Sequence, residues 1–456
     1  MARTNMKRKR KHIRRRLEIW HGVAALLLLL FVLFRISGGY KLKKRLQALQ
    51  NQGHPVTLED LERSYSMPAG EKNAADVYLA AFSNYEKWDR DAMRGIPIAG
   101  RASLPARTEP LDTPTRQLVD KFLSDNEQAL SLLYEAASIE HCRYPDDFTQ
   151  VSNRIKYRRY GMGNDVQVAA QLLRLESLIA SENEDVDRFL DSISTSLALA
   201  RSLSGGPLMI HRSTHDTVLN RTYRSIERAI NRTPLTDEQL LRLSALVKES
   251  DDNKGFKRAL LAEQCLGLHK FIAPLKEVSK RIGEQENSQT RALIISRMLG
   301  LNSKHALGYI DLMQKSIDAL ELPYADRLIA FEAVRESAPR NKQGRIIRDV
   351  LTLEQEIDRQ ARARVTRAGL AVERYRLAEG NLPKSLDNLI PAFMQVVPED
   401  PFNGENLRYR RLKAGFVVYS VNEDLSDNGG AEIDTERRDP SGSKLLPWDI
   451  TFIVER

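Results

Sequence analysis

The first 36 residues constrain this chain more than any other stretch, because a basic cluster there is followed by a long apolar run. Nine of the first sixteen residues are lysine or arginine, and an uninterrupted apolar segment extends from Val23 to Phe34. A helix drawn from Ile19 to Ile36 would be roughly 27 Å long, close to the ~30 Å hydrocarbon core of a bilayer. The sequence therefore predicts a membrane-spanning helix over residues 19–36, preceded by a basic tail over residues 1–18.

The charges on either side of the apolar segment predict its orientation. Nine basic residues precede it, and four follow it closely, namely Lys41, Lys43, Lys44 and Arg45. Because the more basic flank stays in the cytoplasm, we expect a cytoplasmic N-terminus and an extracytoplasmic body. In a bacterium this places the chain in the inner (cytoplasmic) membrane, where the basic tail would also attract anionic lipid headgroups. Residues 37–55 are predicted to form a juxtamembrane linker.

Two alternatives for this segment remain open. The small residues Ser37, Gly38 and Gly39 match the pattern that a signal peptidase recognises, so the first alternative is a cleaved signal peptide. The long basic region, and Arg35 between the apolar run and the cleavage position, favour a retained anchor instead. The second alternative is a buried helix of a soluble domain, which would leave the clustered basic residues unexplained.

The formal net charge of +9 belongs to the N-terminal segment and not to the body. Residues 1–45 contain fourteen basic residues and one acidic residue, which leaves 56 basic and 60 acidic residues and a net charge of −4 elsewhere. A slightly acidic body lacks the electrostatic character of a nucleic-acid-binding domain. The charge distribution therefore predicts membrane lipid and an unidentified protein as partners, and no nucleic acid.

The two cysteines, Cys142 and Cys265, lie far apart in the sequence and in no metal-binding pattern. A disulfide between them is one interpretation for a body outside the cytoplasm. Two separate buried thiols that act as small apolar side chains are the other.

Residues 56–359 are predicted to form an extended, solenoid-like array of α-helices. Thr57 and Asp60 have the spacing of a helix-capping pair, and Thr236 is a second candidate cap. The segments 166–180 and 186–203 form two amphipathic patterns on a short connector, and another helix is predicted from Pro114 to Ala137. Helix pairs on short connectors are typical of solenoids, although no strict repeat length is visible.

The composition changes in residues 360–456, which are predicted to form a small α+β module. A long helix is followed by a segment rich in proline, glycine and asparagine. The sequences LRYRR and GFVVYSV then predict a β-hairpin, and WDITFIVE predicts a final strand in which Ile450, Phe452 and Val454 alternate. The fold class is therefore mainly α, with one transmembrane helix, a helical array and this terminal module.

Three motifs of the module resemble the globular head of the type II secretion major pseudopilin and its type IV pilin relatives. They are the Gly-x-x-Pro turn from Gly380 to Pro383, the D-P-F-N-G turn from Asp400 to Gly404, and the strand end from Tyr419 to Asp424. The resemblance covers about a fifth of the chain. A basic cluster and not the leader of that family precedes the apolar helix, so we expect no pilus assembly through it. The whole chain also resembles membrane-anchored helical proteins of planctomycete-type bacteria, on the motifs NAADVYLAAF, CRYPDDF and D-P-F-N-G, which implies no activity.

The resemblance implies a calcium site in the polar loop before the last strand. Calcium takes six to eight oxygen ligands, which a loop rich in Asp, Asn and Gly can supply. The candidate ligands are Asp424, Asp427, Asn428, Asp434 and Asp449. The alternative is a turn-rich loop in which these residues only shape the backbone.

Two further motifs invite a functional interpretation. His211 and His215 are four residues apart, as in a zinc-protease helix, but Arg212 occupies the position of the catalytic glutamate. We therefore expect polar surface residues near a helix N-terminus. The basic run 154–160 (RIKYRRY) is predicted to be a solvated helix face, with binding of an acidic polymer as the alternative.

No catalytic residues or organic cofactor can be assigned from the sequence. The best prediction is a membrane-anchored extracytoplasmic scaffold or interaction protein, associated with a secretion or envelope machine. The alternative is an envelope hydrolase with its active site in a groove of the helical array, because catalytic groups can assemble from distant positions.

Overall fold

The computed structural model describes residues 2–146, 148, 162–250, 254–273, 295–297, 299–338, 353–433 and 447–456. These residues are mainly helical, as predicted, with one small antiparallel sheet near the C-terminus. Two compact units are formed, one by Met1–Asp60 and Gln264–Gln314, the other by Leu61–Glu263 and Lys315–Arg456.

The helices, numbered in chain order, are α1 (Ala2–Asn51), α2 (Leu58–Ser64), α3 (Ala74–Ser83), α4 (Thr113–Asp125), α5 (Glu127–Ala137), α6 (Met162–Glu182), α7 (Val186–Arg201), α8 (Met209–Ile230), α9 (Asp237–Glu249), α10 (Gly255–Ile272), α11 (Asn302–Ala319), α12 (Tyr324–Ser337) and α13 (Leu353–Glu379). Short 3₁₀ turns cover Ala92–Gly95 and Leu386–Leu389. The strands are β1 (Arg408–Arg411), β2 (Phe416–Ser420) and β3 (Ile450–Val454).

The apolar part of α1 is exposed. A candidate membrane span with a mean hydropathy of 2.2 lies within Ile19–Asn51, and none of that window is buried. Such a helix is compatible with a membrane anchor or a signal sequence, and its exposure argues against the alternative of a buried core helix. The helix continues to Asn51, so most of the predicted linker over residues 37–55 is helical.

The first unit orders the C-terminal end of α1 and the chain that follows it. Leu49 is buried, and Arg45 lies 3.6 Å from Asp311. The predicted capping pair is confirmed, since the backbone N–H of Asp60 donates to the Thr57 hydroxyl (3.1 Å) and the N–H of Thr57 donates to the Asp60 carboxylate (3.1 Å). Such reciprocal bonds satisfy N–H groups that a helix start leaves without partners.

The second unit is organised around α13. This helix packs against α8 and α9 and also against β2 and β3, while α6 packs against α7 and α8. The predicted pair over 166–180 and 186–203 is thus confirmed as α6 and α7. Because α13 joins the helices to the sheet, the terminal module belongs to the same compact unit as the helical body. A regular solenoid, in which each repeat contacts only its neighbours, is not confirmed and stays a prediction.

The predicted hairpin and final strand are confirmed as a sheet of order β1-β2-β3. Arg408 pairs with Tyr419 in the first antiparallel ladder, and Ser420 pairs with Ile450 in the second. Glycine is required at two contacts of this sheet. A Cβ on Gly369 of α13 would lie 2.1 Å from the Phe452 ring, and one on Gly415 would lie 1.8 Å from a backbone oxygen of β3. The helix therefore approaches the sheet closely only because residue 369 has no side chain.

The pseudopilin-like motifs form turns that anchor to the sheet. Gly380 has φ +71° at the end of α13, and Gly404 has φ +76°, conformations that favour glycine. The buried Asp400 carboxylate accepts hydrogen bonds from the Ser420 hydroxyl (2.8 Å) and the N–H of Val421 (2.7 Å). These bonds fix the D-P-F-N-G turn against the end of β2.

One predicted helix is divided in two. The segment from Pro114 to Ala137 forms α4 and α5, with the buried Asn126 between them. The Asn126 amide donates to the carbonyl of Phe122 (2.9 Å), and its side-chain oxygen accepts from the N–H of Glu86 (2.9 Å). An asparagine that bonds to backbone groups in this way competes with helix continuation.

Candidate functional site

A cavity of about 260 Å³ lies in the second unit, between α6, α8, α13 and the residues around β3. Its basic lining residues are Arg107, Arg174, Arg224, Arg228 and Arg362. Its acidic lining residues are Glu227, Glu432 and Asp449. The lining thus contains more arginines than carboxylates. The net charge of the body, which is slightly negative, did not indicate such a basic region.

Three of these arginines are already engaged. Arg107 lies 2.5 Å from Glu432 and 3.6 Å from Glu227. Arg228 donates to backbone carbonyls of residues 105, 106 and 109 over 3.1–3.4 Å. Arg362 lies 3.1 Å from Asp358. These side chains hold the loop before α4 and the helices together, and their charge is largely used within the protein.

Arg174 and Arg224 differ from these three arginines in their contacts. Among the residues that the structure describes, neither guanidinium group has a hydrogen-bond or ion-pair partner, and the same holds for the neighbouring Arg221. Burial and the positive charges of Arg221 and Arg224 lower the pKa of Arg174 to about 10. Burial, and after it the positive charge of Arg362, lower the pKa of Arg224, and the carboxylates of Asp358, Glu227 and Glu432 oppose this shift. Like charges in a partly desolvated wall repel one another, so this cluster favours an anion.

Glu227 is the most perturbed acid of the cavity. Burial raises its pKa to about 7, against the opposing effect of Arg107 and with a further contribution from Glu432. Its carboxylate accepts a hydrogen bond from the backbone N–H of Ile453 (3.3 Å). A carboxyl group that titrates near neutrality changes the charge of the cavity in the physiological pH range.

The remaining wall is largely apolar. Ile98, Leu104, Leu178, Ile433 and Trp448 contribute apolar lining, next to the hydroxyls of Ser177, Ser181 and Thr451. Apolar side chains beside convergent charged groups are a common feature of ligand sites. The arrangement can therefore bind an anionic group at its arginines and a short uncharged group against its apolar side.

The predicted calcium loop uses its side chains to bind its own backbone. The Asp449 carboxylate accepts from the N–H groups of Gly430 (2.7 Å) and Asn428 (3.1 Å), and Asp427 accepts from Gly429 (2.9 Å). Asp427 also lies 3.2 Å from Arg408. These side chains therefore order the backbone turns of the loop.

The candidate calcium ligands are only partly brought together. Asn428 and Asp449 share a hydrogen bond (3.3 Å), whereas Asp424 bonds to the N–H of Ser426 (3.1 Å), and Asp434 lies outside the described residues. Within the described part of the chain, no group of three His, Cys, Asp or Glu side chains is placed to hold a metal ion. Calcium binding by this loop therefore stays a prediction.

The expectation that His211 and His215 lie on the surface is wrong. Both occur near the start of α8, as predicted, but each is only 2% exposed. Burial lowers the pKa of His211 to about 4 and also lowers the pKa of His215. The reason for the burial is tertiary, since α13 and the segment around Asp146 cover this end of α8.

His215 belongs to a buried ionic network. Its Nδ1 lies 2.9 Å from Asp216, which lies 3.1 Å from Arg359. Glu356 lies 2.6 Å from Arg212 and 2.8 Å from Arg359. Although burial acts to raise it, the two arginines hold the pKa of Glu356 below its usual value. Two arginines thus balance two carboxylates, which is how buried charges are tolerated.

His211 pairs with Asp146 of the CRYPDDF motif. Their Nε2 and Oδ2 atoms are 3.3 Å apart, and both side chains are almost fully buried. Burial raises the pKa of Asp146 to about 7, in spite of Arg143 and with a contribution from Glu62. Since the same burial keeps His211 neutral, the charge of this pair is set by Asp146, which changes its ionisation near neutral pH.

The remaining candidates from the sequence are the two cysteines and the basic run 154–160. Cys142 and Cys265 are both free, and burial raises the pKa of each thiol to about 12. The separate-thiol interpretation therefore describes them, and a protonated thiol is a poor nucleophile. The basic run 154–160 lies outside the described residues.

Comparisons with protein-family models, with curated proteins and with solved structures give no match to this chain. The resemblance of the terminal module to pseudopilin heads therefore stays a prediction that rests on its motifs.

Sequence reasoning missed the arginine-lined cavity. Two of its groups, Arg224 and Arg228, recur with the neighbouring Arg221 at three- and four-residue spacing in α8 and so share one helix face. That stripe could have been found in the sequence, but it resembles an ordinary solvated face. Only the packing of α6 and of the β3 region against it distinguishes a cavity wall from a surface.

Proposed function

We propose that this chain is a single-pass inner-membrane protein whose body lies outside the cytoplasm and works as a scaffold or interaction protein. The observation that carries the proposal is the exposed apolar part of α1. From Ile19 to Ile36, every large apolar side chain except that of Phe31 is exposed. An apolar surface of this length is stable only when another apolar phase, here a bilayer, covers it.

A binding role for the body is favoured by what its buried polar groups do. The His215 network and the Asp146–His211 pair are closed within the protein core. The cavity presents mainly guanidinium groups, which bind anions and stay protonated at physiological pH. Such groups recognise a ligand or partner without performing chemistry on it.

A topology experiment tests the membrane part of this proposal. We would fuse alkaline phosphatase, active only outside the cytoplasm, after residue 60 of the full anchor segment in a bacterial host. Phosphatase activity and resistance to alkaline carbonate extraction are expected. Replacing the nine basic residues of 1–16 by glutamine should reduce activity, since the orientation depends on them. Activity that is insensitive to this change, or release by carbonate, would contradict the anchor.

The same material distinguishes an anchor from a signal peptide. The intact mass of the purified chain should include residues 1–36 if the helix is retained. A mass that begins near Ser37–Gly39 would show cleavage.

The interaction part requires a partner specific for the body. The full chain, extracted in mild detergent after cross-linking, is compared with a control in which residues 1–60 carry an unrelated soluble domain. A protein recovered with the full chain and absent from the control is expected. Recovery of the same proteins from both would reject the scaffold role.

The alternative of an envelope hydrolase has one specific observation in its favour, a glutamate with a pKa of about 7 in the arginine-lined cavity. A carboxyl group with that pKa suits general acid–base catalysis. If Glu227 served this role, hydrolysis of chromogenic ester and phosphate-ester substrates would fall at least about a hundredfold in Glu227→Gln. Absence of turnover by the wild-type chain would reject this alternative.

A further inference from the structure

The arginines of the cavity fall into two sets, and only one set has a structural explanation. Arg107, Arg228 and Arg362 are bonded to carboxylates or carbonyls that hold the fold together. Arg174 and Arg224 line the same cavity, with no hydrogen bond or ion pair to any described residue. Arg174 is half-buried, where an unneutralised guanidinium group is costly, so a protein retains it where a ligand completes its contacts. Arg224 is more exposed and lines the same cavity.

The position of Arg174 makes this cost evident. Its Nε atom is buried and has no hydrogen-bond partner among the described residues, and a buried N–H of Arg221 on the facing helix α8 is in the same state. Arg174 projects from α6, so the two helices bring like charges together across the cavity. Removing one of these charges should therefore relieve repulsion.

We propose that this cavity binds a compact ligand with a phosphate monoester group, held by Arg174 and Arg224. The charge balance favours a dianion, because the two guanidinium groups of Arg174 and Arg224 have no ion-pair partner among the described residues. A phosphate monoester carries about −1.5 to −2 at neutral pH, and its oxygens match the planar fork of a guanidinium group. The proposal goes beyond the scaffold role and does not depend on membrane attachment.

The size and the second wall of the cavity limit the organic part of the ligand. A volume of about 260 Å³ is slightly smaller than that of typical ligand pockets, about 300–1,000 Å³, so the ligand must be compact. Leu178, Ile433 and Trp448 form an apolar side next to the arginines. A short apolar or uncharged group attached to the phosphate fits there. The same chemistry occurs in a soluble phosphate ester and in the headgroup of phosphatidic acid.

Binding to the full chain in a nonionic detergent tests the proposal. The probes are phenyl phosphate, glycerol 3-phosphate and short-chain phosphatidic acid, with phenol and benzoate as comparisons. Calorimetric binding and a rise in the unfolding midpoint are expected for at least one phosphate monoester, and neither phenol nor benzoate should match it. Binding of the soluble esters identifies a soluble ligand, and binding of phosphatidic acid alone identifies a lipid headgroup. Tighter binding of benzoate than of every phosphate ester would overturn the proposal.

Three variants separate a ligand-binding arginine from a structural one. Arg174→Gln and Arg224→Gln should each raise the dissociation constant at least about tenfold, since each loses a charge-assisted hydrogen bond. Arg242→Gln, which removes a half-exposed arginine 3.7 Å from Asp191 on another surface, should change nothing. Without ligand, Arg174→Gln should unfold at the same or a higher temperature than wild type.

A structural role for Arg174 would give the opposite result. The unfolding midpoint of the ligand-free variant would fall, and phosphate esters would still raise it as they do in wild type. Failure of all three phosphate probes to bind the wild-type chain would equally overturn the proposal. Arg224 is exposed, so Arg224→Gln keeps the test valid even if Arg174→Gln does not fold.

Discussion

Replacing Arg359 by methionine tests whether the ionic network beneath α8 holds the second unit together. Arg359 is fully buried and contacts both carboxylates of the network, Asp216 at 3.1 Å and Glu356 at 2.8 Å. Methionine keeps much of the volume but removes the charge. Two buried carboxylates would then share Arg212, and leaving a buried charge without its partner costs about 3–5 kcal/mol.

The size of the second unit converts this cost into a temperature. Leu61–Glu263 and Lys315–Arg456 comprise about 345 residues. At roughly 2.1 cal/mol/K per residue, their unfolding entropy is about 0.7 kcal/mol/K. A loss of 3–5 kcal/mol should therefore lower the unfolding midpoint by about 4–7 °C. Fluorescence of Trp88 and Trp448, both in this unit, reports the transition.

A double substitution separates electrostatics from packing. Glu356→Gln alone should also destabilise the unit, because it leaves two arginines with one carboxylate. Combined with Arg359→Met, it removes one charge of each sign, and the double variant should be at least about 1–2 kcal/mol more stable than the sum of the single effects. Lys257→Met is the control. Its ammonium group pairs with an exposed glutamate at 2.6 Å, and its loss should cost less than about 1 kcal/mol.

A change in the midpoint for Arg359→Met no larger than that for Lys257→Met would contradict a stabilising role of the buried network. Additive effects of Arg359→Met and Glu356→Gln would contradict it as well, since additivity would mean that Arg359 and Glu356 do not stabilise each other.

Three further predictions follow from local geometry. The pKa of Asp146 is about 7 in the folded protein and 3.8 in the unfolded chain, so its stabilising effect is present at low pH and lost as the pH rises to 7. Urea titrations should therefore show that the stability of Asp146→Asn, relative to wild type, increases by up to about 4 kcal/mol between pH 4 and pH 8. A difference that does not depend on pH would contradict this. Gly369→Ala should lower the stability of the fold by about 1–3 kcal/mol, because its methyl group would clash with Phe452. Gly308→Ala in α11, whose methyl group would meet no atom within 4 Å, should be neutral or stabilising. Circular-dichroism melting measures both, and equal effects would contradict the clash with Phe452. The calcium hypothesis predicts that a chelator lowers the midpoint of the wild-type chain and not that of Asp424→Asn, and no effect of chelation would reject it.

The features that sequence reasoning predicted are those set within one element or one turn. The Thr57–Asp60 cap, the β1–β2 hairpin and the α6–α7 pair depend on residues a few positions apart or on one periodic face. Local propensity and hydrophobic pattern determine such features. They were therefore predicted correctly without knowledge of the tertiary structure.

The features that could not be predicted from the sequence depend on contacts between segments that are distant along the chain. The burial of His215 follows from Arg359 and Glu356 of α13, which lie more than 140 residues later in the sequence. A polar motif at a helix start has the same sequence whether solvent or another helix covers it. The arginine stripe of α8 was likewise indistinguishable from a solvated face until α6 and the β3 region were placed against it.

The basic residues of this chain occur in three different environments, and comparing them distinguishes the cavity arginines from the others. Those of the N-terminal tail precede the exposed apolar helix, as expected for a membrane flank. Those beneath α8 are matched by carboxylates, as Arg359 is by Asp216 and Glu356. Arg174 is half-buried, and it has none of the carboxylate contacts of the second group within the described residues. Burial of the Arg174 guanidinium group without a counter-charge costs stability in the ligand-free protein. An anion bound between α6 and α8 would supply that counter-charge, as the proposed phosphate ligand does.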